Sequence, residues 1–236
     1  SYCYNKRFQE MGYPLRQRSV ESIVEEAKQL ITDYPTELIY FQDDIFPIYR
    51  RDWISSFVKQ WRQIRKPFHI QIRIEMLTEN ILKELKYAGL HGVTFAIETA
   101  DNELRKNLLG RHINDNDIYY GASLLEKYGI KFRIENMLGV PGETIKSALA
   151  TLDMNIACKP DVGWASLYMP YPGTDLGDYC LKNNLVLIDK SSDDWENDFF
   201  SHSLIKLKGK KRIERIQKLF GLACEKPIIR PFIPFL

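Results

Sequence analysis

Short apolar stretches alternate with helix-length amphipathic stretches along almost the whole chain, and this restricts its fold more than any other feature. From Ser19, the residues Val20, Ile23, Val24, Ala27, Leu30 and Ile31 recur at helical spacing. Ser19 is placed to cap that helix, Glu21 falls in its first turn where the dipole favours acid, and the helix ends near Pro35. A strand is predicted over 38–41, then a helix carrying Trp53, Phe57, Val58 and Trp61. The pattern continues with strands over 68–74, 92–97, 131–138 and 162–169 and helices over 78–88, 114–128 and 144–159. Strands separated by helices of this length imply right-handed βαβ units and a parallel sheet. With 236 residues the chain can bury a full core, and one main domain with an appendage is expected.

A parallel strand buried on both faces should be apolar throughout, yet three of these alternate. Phe68, Ile70, Ile72 and Ile74 share one side of their strand, against His69, Gln71, Arg73 and Glu75. Val93, Phe95 and Ile97 oppose Thr94, Ala96 and Glu98, and Phe132 and Ile134 oppose Arg133 and Glu135. A closed eight-stranded barrel fills its interior with branched aliphatics, so a polar interior predicts a wider, open partial barrel lined for a ligand. The alternative is an exposed sheet edge, or Arg73, Arg133, Glu75 and Glu135 serving only as internal ion pairs.

A net charge of +2 gives no reason to expect nucleic acid, and no apolar run is long enough to cross a membrane. The four cysteines, Cys3, Cys158, Cys180 and Cys224, form no CxxC pair, so neither a zinc site nor a disulfide framework follows from spacing. A reducing cytoplasmic location fits, and no signal peptide is visible. Past Thr174 the regularity fades. The stretch 187–203, with Asp193, Asp194, Trp195, Glu196, Asp198, Phe199 and Phe200, reads as a loop or cover. Ile213, Ile216, Leu219, Phe220 and Ala223 then mark an amphipathic helix with a basic, solvated face of Lys210, Lys211, Arg212, Arg215 and Lys218. The final stretch, 227–236, is too apolar for a free tail and is expected to pack on the barrel or to continue into further residues.

In parallel βα architectures ligands bind beyond the carboxyl ends of the strands. Asp43 and Asp44 follow the first strand with no basic residue near them, so either they receive a cationic ligand or one of them caps the helix near Pro47. Glu98 ends a strand where an acid can accept from both hydroxyls of a ribose, or can pair with Arg73. Gly139-Val140-Pro141-Gly142-Glu143 brings the backbone close to a flat ligand before Thr144 caps the next helix, although a tight connection uses the same residues. Pro170-Tyr171-Pro172-Gly173-Thr174 closes the last strand as a rigid turn. Cys3 alone would be a small core residue.

In this order, Tyr2-Cys3, Phe41-Gln42-Asp43-Asp44-Ile45-Phe46, Phe95 to Thr99, Met137 to Thr144 and Pro170 to Thr174 resemble the radical S-adenosylmethionine (SAM) enzymes, over roughly 1–176. The F-x-D-D-x-F wording is that of the cobalamin-binding branch, which includes methyltransferases and ring-forming oxidative enzymes.

The resemblance implies an α/β fold: a partial (β/α)6 TIM-like barrel with a parallel sheet over 1–175, and a mainly helical C-terminal extension over 176–236. It makes Tyr2-Cys3 the end of a C-x3-C-x2-C motif whose first two cysteines, and the strand before them, are expected ahead of Ser1. Cys3 is then a catalytic ligand of a [4Fe-4S] cluster. The residues implied at S-adenosylmethionine are Asp43 and Asp44 for its amino group, Glu98 and Glu135 for ribose, Arg111 for the carboxylate, and Gly139 and Pro141 for adenine. Tyr2, Arg73, Met137, Tyr168 and Tyr171 border them. The usual G-x-E-S-G turn is replaced here by Ala96, Thr99 and Ala100 around Glu98.

The implied chemistry is reductive cleavage of the sulfonium to a 5'-deoxyadenosyl radical that abstracts hydrogen from an organic substrate, with cobalamin as a candidate third cofactor for methyl transfer. A reductase or flavodoxin-type electron donor is the expected partner, and Trp164 and Tyr168 suggest a bulky or aromatic substrate. Rival readings are a cluster-less relative binding S-adenosylmethionine or a nucleotide, a metal-dependent hydrolase using Asp43, Asp44 and Glu98, and an interaction module built on the helix near Arg215.

Overall fold

The computed structural model describes residues 2–14, 16–187 and 200–235. Asp193, Asp194, Trp195, Glu196, Asp198 and Phe199 lie outside the described residues. The elements run α1 (Asn5–Glu10), α2 (Val20–Asp33), β1 (Ile39–Tyr40), α3 (Arg51–Trp61), β2 (Phe68–Gln71), α4 (Glu79–Ala88), β3 (Leu90–Glu98), α5 (Asp115–Lys127), β4 (Lys131–Leu138), α6 (Ile145–Cys158), β5 (Val162–Leu167), α7 (Asp175–Lys182) and α8 (Lys210–Glu225). Five parallel strands form one sheet in the order β1-β2-β3-β4-β5, the sequential order of a partial TIM-like α/β fold.

By their contacts the residues form two compact units, 16–96 with 116–133, and 1–15 with 97–115 and 134–236. In the first, β1 pairs with β2 through Ile39 and Phe68, and β2 with β3 through Ile70 and Val93. Its core is aromatic. Trp53 and Trp61 stack on Phe57 at 5.3 and 5.1 Å, while Phe46 and Phe68 meet the same ring edge-on. Such pairs add roughly 0.5–1.5 kcal/mol each beyond the area they bury.

The strand alternation survives. Phe68, Ile70, Ile72 and Ile74 are buried while His69, Gln71, Arg73 and Glu75 are half-buried, although regular pairing ends at Gln71 and a 3-10 turn begins at Ile74. On the polar side His69 Nε2 lies 2.8 Å from Thr94 Oγ1, and the Tyr40 ring stacks on His69 at 4.3 Å. Burial pushes this imidazole down to about 4, so it is neutral at physiological pH.

In the second unit α8 packs on β5 and α6, with Ile213, Ile216, Phe220 and Ala223 against Leu138, Leu152 and Leu167. Lys211, Arg212, Arg215 and Lys218 are exposed, the solvated face expected of them. The 3-10 segment Pro227–Phe235 buries Ile233 and ties Arg230 to Asp153 at 2.5 and 2.7 Å, while Ile228, Phe232 and Phe235 stay exposed. Helix starts follow the expected chemistry: the Ser19 hydroxyl accepts from Ser22 N at 3.2 Å, and Thr144 forms a capping box with Ser147. No helix of the described residues is long and apolar enough to cross a membrane.

Candidate functional site

Glu98, the last residue of β3, is buried and adopts a left-handed backbone conformation with φ of 64°. That region costs an L-residue with a Cβ roughly 1–2 kcal/mol, and such strain concentrates where a side chain must be aimed. The Tyr2 hydroxyl donates to Glu98 Oε1 at 2.6 Å. The Arg111 guanidinium and the Glu135 carboxylate also act on Glu98. Burial raises the carboxyl above its ordinary range, with Glu135 adding to the rise and Tyr2 and Arg111 opposing it. The Tyr2 phenol is raised as well, first by its own burial and then by Glu98.

β4 delivers Glu135, half-buried, and Met137, buried, before the chain turns at Gly139. Gly139 and Gly142 have φ of 79° and 83°, which glycine alone adopts freely, and Val140 and Pro141 between them are buried. Glu143 ties the turn from within: its Oε2 accepts the Gly139 N–H in a short hydrogen bond. Burial lifts its carboxyl to about 8, and its second oxygen finds no partner among the described residues.

Cys3 is exposed, just before α1. Contacts hold this segment to the chain after β5: the Tyr4 ring lies 5.5 Å from Tyr171, the Tyr4 hydroxyl donates to the Pro172 carbonyl at 3.3 Å, and Lys6 Nζ lies 2.7 Å from Asp175 Oδ2 at the start of α7. The other three cysteines are buried, and burial lifts the Cys158 and Cys224 thiols to about 12, which marks them as inert core groups. The Tyr168 ring is buried, with its hydroxyl 4.0 Å from the Cys180 sulfur.

A sequence profile of the radical SAM superfamily matches residues 1–154, well over half of the chain. The chain belongs to the radical SAM superfamily. It is 30% identical over 182 residues to an uncharacterized methyltransferase of Pyrococcus horikoshii, covering 75% of this chain and 39% of that protein. It is 25% identical over 196 residues to a cytidylyl-2-hydroxyethylphosphonate methyltransferase of Streptomyces wedmorensis, covering 79% and 36%. The chain therefore spans well under half the length of these relatives. Among solved structures it is similar in fold to the radical SAM methyltransferase TsrM of Kitasatospora setae, with a TM-score of 0.62 at 19% identity over 75% of this chain and 37% of that one. It is similar also to the radical SAM enzyme HemN of Escherichia coli, with a TM-score of 0.60 at 15% identity, covering 87% and 46%.

Within this radical SAM chain, Tyr2, Arg111 and Glu135 each act on Glu98, and the Gly139 turn and Tyr171 belong to the same compact unit. Asp43, Asp44 and Arg73 belong to the other unit. Two expectations about charge need correction. Asp43 and Asp44 are exposed, so the desolvation that would demand a cationic partner does not act on them. Arg73 is not the partner of Glu98: its Nε donates to Glu75 Oε1 at 2.7 Å, two residues along its own chain. Beside β1 Asp43 lines a cavity of about 400 Å3 walled by Ile23, Ala27, Leu30, Phe41 and Trp61. Among the described residues no three of His, Cys, Asp or Glu are grouped to hold a metal ion. Trp164 is 37% exposed and meets Phe200 edge-on at 5.2 Å.

Sequence reasoning overlooked Glu143 as the brace of the Gly139 turn, and Arg105, which is only 1% exposed. A charged residue between Leu104 and Leu108 in an otherwise helical stretch was the available signal for Arg105.

Proposed function

We propose that this chain is the S-adenosylmethionine-binding core of a radical SAM methyltransferase. The observation that carries the proposal is the Tyr2–Glu98–Arg111–Glu135 constellation at the carboxyl ends of β3 and β4. Its donor set suits the ligand. Buried carboxyls accept from vicinal hydroxyls, a guanidinium takes a carboxylate in a planar fork, and a glycine turn presents backbone to a flat base.

In this reading Glu98 and Glu135 hold the ribose, Arg111 the methionine carboxylate and the Gly139–Pro141 turn the adenine, with Met137, Tyr168 and Tyr171 packing behind them. For Asp43 and Asp44 the support is the resemblance of the Phe41 to Phe46 motif alone, and Arg73, outside the motifs, is placed beside them by the family resemblance alone. Cys3 is the exposed thiol this chain offers to a [4Fe-4S] cluster. One thiolate does not hold such a cluster, so the proposal applies to a polypeptide that supplies further ligands. The chemistry that the bound cluster supplies is an electron to the sulfonium. The part of this chain is to bind, orient and exclude water.

Methyl transfer is supported by the names of both curated relatives, and cobalamin by the F-x-D-D-x-F wording of Phe41 to Phe46 and by the TsrM structure described with cobalamin bound. We assign the barrel core to 1–175 and an extension to 176–236. The substrate is a small organic molecule, and an electron donor of the reductase or flavodoxin type completes the reaction.

Calorimetric titration of S-adenosylmethionine into the full-length, anaerobically reconstituted protein tests the proposal. Saturable heat that Glu98→Gln weakens at least about tenfold is expected. No heat with the reconstituted protein would overturn it.

A further inference from the structure

Residues 99–115 of the chain fold around a buried cation. Arg105 sits in a π-helical turn, Leu104–Leu108, a geometry that is rare and often found at functional sites. Its Nη1 donates to the Thr99 carbonyl at 3.0 Å, and its Nη2 donates to both Asn102 Oδ1 and Asp115 Oδ1. Its own carbonyl accepts the Arg111 N–H at 2.8 Å. The guanidinium thus ties the residue after Glu98 to Asn102 and to Asp115, which lie on either side of Arg111 in the chain.

The two ends are not anchored equally. On the Glu98 side, Thr151 of α6 holds the chain through Ala100 N at 3.0 Å and Thr99 Oγ1 at 3.3 Å. On the Arg111 side, the Arg105 carbonyl takes the Arg111 amide itself, and φ of 68° at Gly110 makes the adjoining backbone easy to redirect.

We propose that Arg105 is a positioning residue that sets the Arg111 guanidinium at its distance from Glu98, and thereby selects an adenosyl ligand that carries an amino-acid carboxylate. The inference rests on the reading of Glu98 and Arg111 as ribose and carboxylate ligands, and it adds a residue that the ligand does not touch. Arginine is required because one planar fork reaches three acceptors in fixed directions, which a lysine ammonium on a flexible stem does not reproduce.

The test compares S-adenosylmethionine with its decarboxylated analogue, titrated calorimetrically into the full-length reconstituted protein and its Arg105→Lys variant. Melting is followed in parallel. Arg105→Lys should weaken S-adenosylmethionine at least about tenfold and leave the decarboxylated analogue within about twofold. Equal affinity of variant and wild type for S-adenosylmethionine would overturn the proposal. So would parallel loss of both ligands, the signature of a merely structural role. If Arg105→Lys does not fold, Asp115→Asn, at a partly exposed position, takes its place with the same expected selectivity and the same overturning results. Wild type that binds neither compound removes the reading of the site, and the positioning role falls with it.

Discussion

At the scale of single residues, Glu98 separates stability from function. Its left-handed φ and buried carboxyl both oppose folding, so its presence needs a reason outside the folded core. Glu98→Gly should be more stable than Glu98→Ala by roughly 0.5–1 kcal/mol, because glycine relieves the strained backbone at some entropic cost. Both variants should lose S-adenosylmethionine binding. Thermal melts and ligand titrations of the pair check this, and a Glu98→Ala that matches or exceeds Glu98→Gly would show that the strain is absent. The sequence located Glu98 because strand alternation and a strand end are local signals. The alternative it offered, a pairing of Glu98 with Arg73, is not the one found: the hydrogen-bond partner is Tyr2, 96 residues away. Burial of Asp43 and Asp44 was inferred from neighbouring apolar residues, although the loop after β1 leaves both in solvent.

At the scale of elements, the helices that the sequence predicts are present because caps and 3.6-residue periodicity are written in adjacent residues. The missed elements are short or non-standard: α1, α7 and the π-turn around Arg105. Six or eight residues give too few repeats for a period, and a π-turn arises from what its buried arginine contacts rather than from propensity. Element packing also depends on contacts that composition does not reveal. A Cβ added at Gly121 of α5 would lie 2.2 Å from Ile74 Cγ1 and 2.6 Å from its Cδ1, so Gly121→Ala should destabilise by about 1–3 kcal/mol through overpacking. Ile74→Ala removes both clashing atoms while opening a cavity. The Gly121→Ala cost should therefore shrink in the Ile74→Ala background, giving a favourable coupling in a double-mutant cycle of urea melts. Additive effects would mean that α5 does not seat on Ile74.

At the scale of the whole molecule, stability should depend on pH through groups held in the disfavoured charge state. Glu143 keeps its proton in the folded state up to about 8 but releases it near 4.5 when unfolded. Between those values the folded state binds more protons, so stability falls as pH rises, and Glu98, also raised, acts in the same direction. His69 acts oppositely on the acid side: the unfolded imidazole takes a proton below 6.5 and the folded one resists to about 4, so stability falls as pH drops through that window. Glu143→Gln should flatten the decline of the melting temperature between about 4.5 and 8, as scanning calorimetry across that range will show. A decline as steep in the variant as in wild type would mean that Glu143 is ionised in the fold.

What the sequence settled by itself was the order of strands and helices, the polar side of the sheet and the motifs at strand ends. Each is carried by residues close together in the chain, where hydrophobic period, caps and turn chemistry act locally. Which charges are buried, and which groups share one environment, was decided only by the tertiary structure. Solvation and Coulomb terms depend on distances between segments far apart in sequence: Tyr2 reaches Glu98, and Arg105 reaches Thr99 and Asp115, only after the chain has folded.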